Sequence, residues 1–172
     1  MAEHEVEEHI HHAHEPFDKL VAGTMAGIAA LLAIVSVSGQ HFNTESLLRQ
    51  QQSSDQWAFY QAKDIRRYVA GAAADLLTQA KADSKSLEKY SRDSERYEKD
   101  KASIKEKAEA LAKQSESAGE RAESFHMGEV FLEIGIVLSS LAILTKQRGF
   151  FYGGGVASAV GLVIAIRAYL MH

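Results

Sequence analysis

The chain has 172 residues, with 19 Lys+Arg against 23 Asp+Glu for a formal charge of −4, one Pro and no Cys. Without Cys there is no disulfide framework, thiolate metal site or thiol nucleophile, and the net negative charge argues against a nucleic-acid partner. Mean hydropathy is −0.19, but that average hides two very apolar regions flanking a polar middle, in a chain whose only proline is Pro16, which favours long helices.

Residues 1–16 read as a flexible tail in which His4, His9, His11, His12 and His14 alternate with Glu3, Glu5, Glu7, Glu8 and Glu15. Imidazole and carboxylate can ligate zinc, nickel or copper. Their spacing matches no tetrahedral signature, and an acidic tail explains the composition equally well. Histidine charging between about pH 5 and 7 is a further reading. No cofactor is expected.

Residues 17–39 predict a first transmembrane helix, since Leu20 to Ser38 carry no charge and at ~1.5 Å per residue approach the ~30 Å hydrocarbon thickness. The residues before it are acidic rather than basic, which disfavours a cleaved signal peptide. A break is expected at Gly39-Gln40-His41, with Asn43 or Thr44 capping the next helix.

Residues 43–125 predict an antiparallel helical hairpin outside the membrane, with arms of about 44 to 81 and 86 to 125 and a turn near Asp83-Ser84-Lys85-Ser86. At ~1.5 Å per residue each arm would be roughly 55–60 Å long and stand clear of the bilayer. In the second arm Leu87, Tyr90, Ser94, Tyr97, Lys101, Ile104, Ala108, Leu111, Ser115, Ala118, Ala122 and Phe125 follow steps of three and four, a coiled-coil-like seam with a poor core. Ala58, Ala62, Ile65, Val69, Ala72, Leu76 and Ala80 predict the matching seam in the first arm. Trp57, Tyr60 and Asp64 share a helix face. That face suits packing or oligomer contact, or a cationic ligand.

Residues 126–146 and 150–171 predict a second and third transmembrane helix, joined tightly through Lys146-Gln147-Arg148-Gly149. Folding about that turn puts Glu129 and Glu133 opposite Arg167, with His126 nearby. Charges in a bilayer are costly unless paired or wet, so an ion pair is expected, either orienting two helices or lining an ion path. Gly23 and Gly27, Gly149 and Gly153, and Ala157 and Gly161 have the small-xxx-small spacing that lets membrane helices touch.

The run Ser54-Asp55-Gln56-Trp57-Ala58-Phe59-Tyr60-Gln61-Ala62-Lys63, an apolar helix before it and an apolar-KQRGFFY-apolar end, resembles an uncharacterised bacterial membrane family, domain of unknown function 4337. The resemblance covers nearly the whole chain and implies a bacterial integral membrane protein, with no catalytic residues to carry over. The hairpin tip, which lacks Gly and Pro, departs from it.

The fold class expected is therefore all-α, with three transmembrane helices and a long helical hairpin. The function expected is non-enzymatic: a homo-oligomer in the lipid bilayer, acting as a scaffold or binding an unknown protein partner through the hairpin. No nucleotide loop, GxSxG elbow or HExxH motif points to an enzyme. The competing expectation is an oligomeric channel or transporter with Glu129, Glu133 and Arg167 near the ion path. Lys19, Lys146 and Arg148 face Arg49, Lys113, Arg121 and Arg167 across the membrane. Weighting the short loop places Lys146, Arg148 and the tail in the cytoplasm, and the hairpin outside.

Overall fold

The computed structural model describes residues 16–81 and 83–170. The expectation of metal binding by His4, His9, His11, His12 and His14 lies outside these residues. Among the described residues three helices account for the architecture: α1, Pro16–Gln79; α2, Ser84–Thr145; and α3, Arg148–Leu170. Among the described residues there is no strand. Pro16 opens α1 at the position where its missing N–H costs nothing, and Asp18 in the first turn faces the positive end of the helix dipole.

The expected break at Gly39-Gln40-His41 is corrected by the structure, because α1 runs through it for 64 residues and Asn43 and Thr44 are interior to the helix rather than caps. A single glycine costs a helix only ~1 kcal/mol, and here it has a packing role. A Cβ built on Gly39 would lie 3.2 Å from the Phe125 Cβ, and Phe42, one turn on, stacks on Phe125 with ring centroids 5.6 Å apart. In the same way α2 passes residues 125 and 126 unbroken for 62 residues.

Helix ends are set by two non-glycine residues in the left-handed region, Lys81 with φ 49° and Lys146 with φ 56°. At the first, the Ala80 N–H donates to the Leu76 carbonyl at 2.9 Å and the Lys81 N–H to the Thr78 carbonyl at 3.2 Å. These bonds satisfy carbonyls that the helix end leaves open. The Leu87 N–H donates to the Asp83 carbonyl at 3.3 Å, so α2 starts at Ser84. The residues expected to form the hairpin tip therefore mostly belong to the first turn of α2.

The chain divides into two compact units, one holding residues up to Asn43 with those from Gly119 onward, the other Thr44–Ala118. In the second unit α1 and α2 run in opposite directions, as the pairs Ser46 with Ser115, Ser53 with Ala108 and Lys63 with Asp100 require. Along the α2 seam Lys101, Ile104, Ala108, Ser115 and Ala118 are buried, whereas Tyr90, nearer the turn, is exposed.

The α1 seam departs from expectation. Ile65 and Val69 are each 63% exposed and Leu76 65%, while the face turned to α2 carries Ser53, Tyr60, Lys63, Arg67, Ala70 and Ala74. The physical reason is that α2 presents Lys101, Ser115 and flanking carboxylates. Polar partners on α1 satisfy these groups, which burial against an aliphatic stripe would leave unpaired.

In the first unit a core forms from Ile28, Val35, Phe125, Leu132, Ala165 and Ala168. Each of the three helices contains a segment long and apolar enough to cross a membrane. Small residues set how closely α2 and α3 approach. A Cβ on Gly161 would sit 2.7 Å from the Gly128 carbonyl oxygen, and one on Gly154 2.7 Å from both the Gly135 carbonyl oxygen and Ser139 Oγ.

Candidate functional site

Within residues 44–118 the interface between α1 and α2 is a ladder of polar contacts. Ser46 Oγ donates to the Ser115 carbonyl at 2.8 Å and Ser115 Oγ returns a bond to the Ser46 carbonyl at 2.9 Å. The buried Ser53 hydroxyl donates to the Ala108 carbonyl at 2.9 Å. Towards the turn the ladder becomes ionic: Lys63 Nζ lies 2.6 Å from Asp100, Lys101 donates to Asp64, and Arg67 Nε lies 3.0 Å from Glu98 and 3.3 Å from Asp64.

Aromatic rings close over these charges. Lys101 Nζ is 5.0 Å from the Tyr60 ring centroid, and Lys63 Nζ is 5.2 Å from that of Tyr97 and 5.5 Å from that of Phe59. Such cation–π contacts strengthen as water is excluded. The hydrogen bond from Lys101 holds the Asp64 carboxyl below its ordinary range, helped by Arg67 and opposed by burial. The same bond raises Lys101 above the ordinary lysine value. These charges are spent on one another, and the ladder fixes the register of the two helices.

Of the residues singled out from sequence, Trp57 and Tyr60 do touch, edge to face with centroids 5.6 Å apart. Tyr60 faces inward over Lys101, whereas Trp57 stays 36% exposed. Asp64 belongs to the ladder.

In the other unit Glu129 is half-buried and its carboxylate lies 3.5 Å from His126 Nδ1. Glu133 and Arg167 are both exposed, and among the described residues no ion pair joins Arg167 to Glu129 or Glu133. His126 and Glu129 instead line a cleft of about 370 Å³ with Ser36, Gln40, Asn43 and Glu123. Among the described residues no three His, Asp or Glu side chains are grouped to hold a metal ion.

Gly161 lies in the tight α2/α3 contact, and a Cβ on Gly153 would meet only Leu138 Cδ1 at 3.7 Å. Gly23, Gly27 and Gly149 face open space. Sequence reasoning missed Gly128, Gly135 and Gly154. Their signal was a spacing of seven in both helices, Gly128 with Gly135 and Gly154 with Gly161, continued by buried Ser158, Ala165 and Ala168. At the far end of this unit Lys146 Nζ binds Asp18 at 2.6 Å and Arg148 stacks over the Phe17 ring at 5.6 Å. The start of α1 and the α2–α3 turn therefore meet.

An all-α chain with three helices apolar enough to span a membrane and a polar-cored helix pair is the class this architecture defines. The family described as a domain of unknown function, DUF4337, matches residues 17–171, and the chain belongs to it. No curated protein matches the chain. No solved structure matches it either.

Proposed function

We propose that this protein is a non-enzymatic, homo-oligomeric component of a bacterial membrane, in which α1, α2 and α3 each cross the bilayer. Residues 44–118 then form a coiled-coil-like hairpin in the aqueous phase that scaffolds copies or binds a protein partner. The observation that carries this reading is the aliphatic stripe containing Ile65, Val69 and Leu76, left exposed on a helix pair whose mutual interface is polar. Exposed apolar faces of this kind mark contact surfaces.

Orientation follows from the α2–α3 turn. The contacts of Lys146 with Asp18 and of Arg148 with Phe17 support a topology in which the start of α1 and the α2–α3 turn lie on one side, and the preference of short basic loops for the cytoplasm favours that side. The hairpin is then extracytoplasmic. The deciding experiment is the mass of the particle extracted directly into nanodiscs. Two or more copies are expected, and a monomer at native expression level would overturn the reading. Labelling of Ser84→Cys in intact cells by an impermeant maleimide tests the sidedness.

One observation favours a second reading, an oligomeric channel. Glu133 is exposed within the apolar part of α2 and forms no ion pair with Arg167 among the described residues, which supports a reading in which it lines a path shared by several copies of an assembly. Cation conductance in planar bilayers that falls severalfold in Glu133→Gln would establish it. Absence of conductance from assembled protein would remove it.

A further inference from the structure

We infer that the outward face of α1 within residues 44–118 is the seam along which two copies of this chain meet, in the same direction and in register. This rests on the homo-oligomeric reading and adds to it the face, the partner and the direction. Six residues define the seam: Ala58, Ala62, Ile65, Val69, Ala72 and Leu76, separated by steps of four, three, four, three and four. That is the 3.5-residue period with which one helix packs along another. The face that α1 turns to α2 bears Ser53, Tyr60, Lys63, Arg67 and Ala70. At ~100° per residue the two stripes lie on nearly opposite sides of the helix. The seam is therefore spare, fully formed and unused within one copy.

The identity of its occupant follows from area, charge and the rest of the chain. Nineteen residues, 58 to 76, at ~1.5 Å each and a helix width of ~10 Å give a footprint of roughly 300 Å² per copy, or about 600 Å² for a pair. This is below the ~1,200 Å² that free partners need for a stable complex. A freely diffusing protein would not stay on so narrow a stripe. A second copy anchored in the same membrane would, because anchoring turns association into a nearly intramolecular step.

Anchoring also sets direction, since copies inserted alike present the same residue at the same height and Val69 meets Val69. The flanks suit self-pairing. In a parallel pair Gln61 faces Arg66 of the partner subunit and Tyr68 faces Ala73 of the partner subunit, so no like charges oppose. The seam ends where Asp55 would enter it, and that carboxylate is already bound by Gln51 of the same helix at 3.0 Å. Residues 1–15, with five Glu and five His, are too polar to cover an aliphatic stripe.

The absence of cysteine allows a direct test. Full-length Val69→Cys in proteoliposomes, oxidised with copper–phenanthroline, is expected to convert most of the protein to a disulfide dimer, because an in-register seam brings the Cα atoms within the ~4.4–6.8 Å a disulfide spans. Lys107→Cys, exposed on α2, is expected to cross-link at least tenfold less, and Val69→Glu is expected to lower the oligomeric fraction at least tenfold while the helical spectrum persists.

Equal cross-linking at residues 69 and 107 would overturn the seam. Cross-linking of Ile65→Cys to Leu76→Cys in a mixed sample, in preference to Val69→Cys with itself, would overturn the direction. Oligomeric mass without cross-linking at Val69→Cys would sink this inference and leave the homo-oligomeric reading standing, whereas monomeric mass would end both.

Discussion

Asp64 of α1 and Lys101 of α2 meet as a hydrogen-bonded ion pair, with the Lys101 side chain only 10% exposed and the Tyr60 ring above it. Arg67 reaches the same carboxylate from the next turn of α1, and Glu98 lies 3.6 Å from Lys101 on α2. The pair thus sits inside a four-residue network whose partners come from both helices. A half-turn slip of one helix would separate every partner at once, which is how a weakly apolar interface can still hold one register.

Removing one partner therefore does more harm than removing both. Lys101→Met leaves a carboxylate facing an apolar side chain, so its thermal midpoint in detergent is expected to fall further than that of Asp64→Leu combined with Lys101→Met. Additive losses in this double-mutant cycle would show that the two groups do not act as a pair.

The pair also makes stability depend on pH. The Asp64 carboxyl is held below its ordinary value. Its contribution is therefore present above the unfolded carboxyl pKa of about 3.9 and is lost as pH falls through the folded value. Lys101 is raised, so its contribution is complete below about 10.4 and is lost as pH rises through the folded value. The midpoint difference between wild type and Asp64→Asn is expected to be constant from about pH 5 to 9 and to shrink by pH 2. A difference that is the same at pH 2 and pH 7 would refute the assignment.

The glycines divide into two kinds. Gly161→Ala pushes a methyl to 2.7 Å from the Gly128 carbonyl, and Gly135→Ala drives one against Ser158 Oγ and to 2.9 Å from the Gly154 carbonyl. Each is expected to cost about 1–3 kcal/mol through overpacking. Gly155→Ala has nothing within 4 Å and is expected to be neutral or to stabilise by up to ~1 kcal/mol, since alanine is the better helix former. Denaturation in mixed micelles distinguishes them. Equal effects at residues 155 and 161 would mean that α2 and α3 do not pack along the glycine face.

Lys81 adopts φ 49° at the end of α1 without the freedom of glycine. Lys81→Gly relieves a left-handed backbone that costs L-residues roughly 1–2 kcal/mol, offset by the greater entropy of glycine in the unfolded chain. A net gain of about 0.5–1 kcal/mol in hairpin stability is expected from hydrogen exchange of the amides around residues 76–88. Destabilisation would mean that the Lys81 side chain makes a contact that outweighs its backbone strain.

The sequence by itself determined the helical class, the three apolar segments and the α2 seam from Lys101 to Phe125. Each rests on a property carried locally: the scarcity of proline, unbroken apolar runs, and three-four spacing. Only the tertiary structure decided which face of α1 meets α2. Apolar spacing selected Ile65, Val69 and Leu76, but α2 offers the buried Lys101 and Ser115, and buried polar groups demand partners more strongly than an aliphatic stripe demands cover.

Among the described residues no ion pair joins Glu129 to Arg167, the contact that a count of residues about the turn suggested. Close approach of α2 and α3 is set by where the glycines and Ser158 allow backbones to touch, and His126, one turn from Glu129 on its own helix, is the nearer partner. Hydropathy records which residues avoid water. Which of two available faces is used depends on the hydrogen bonds and charges of the neighbour, and these exist only once the helices are side by side.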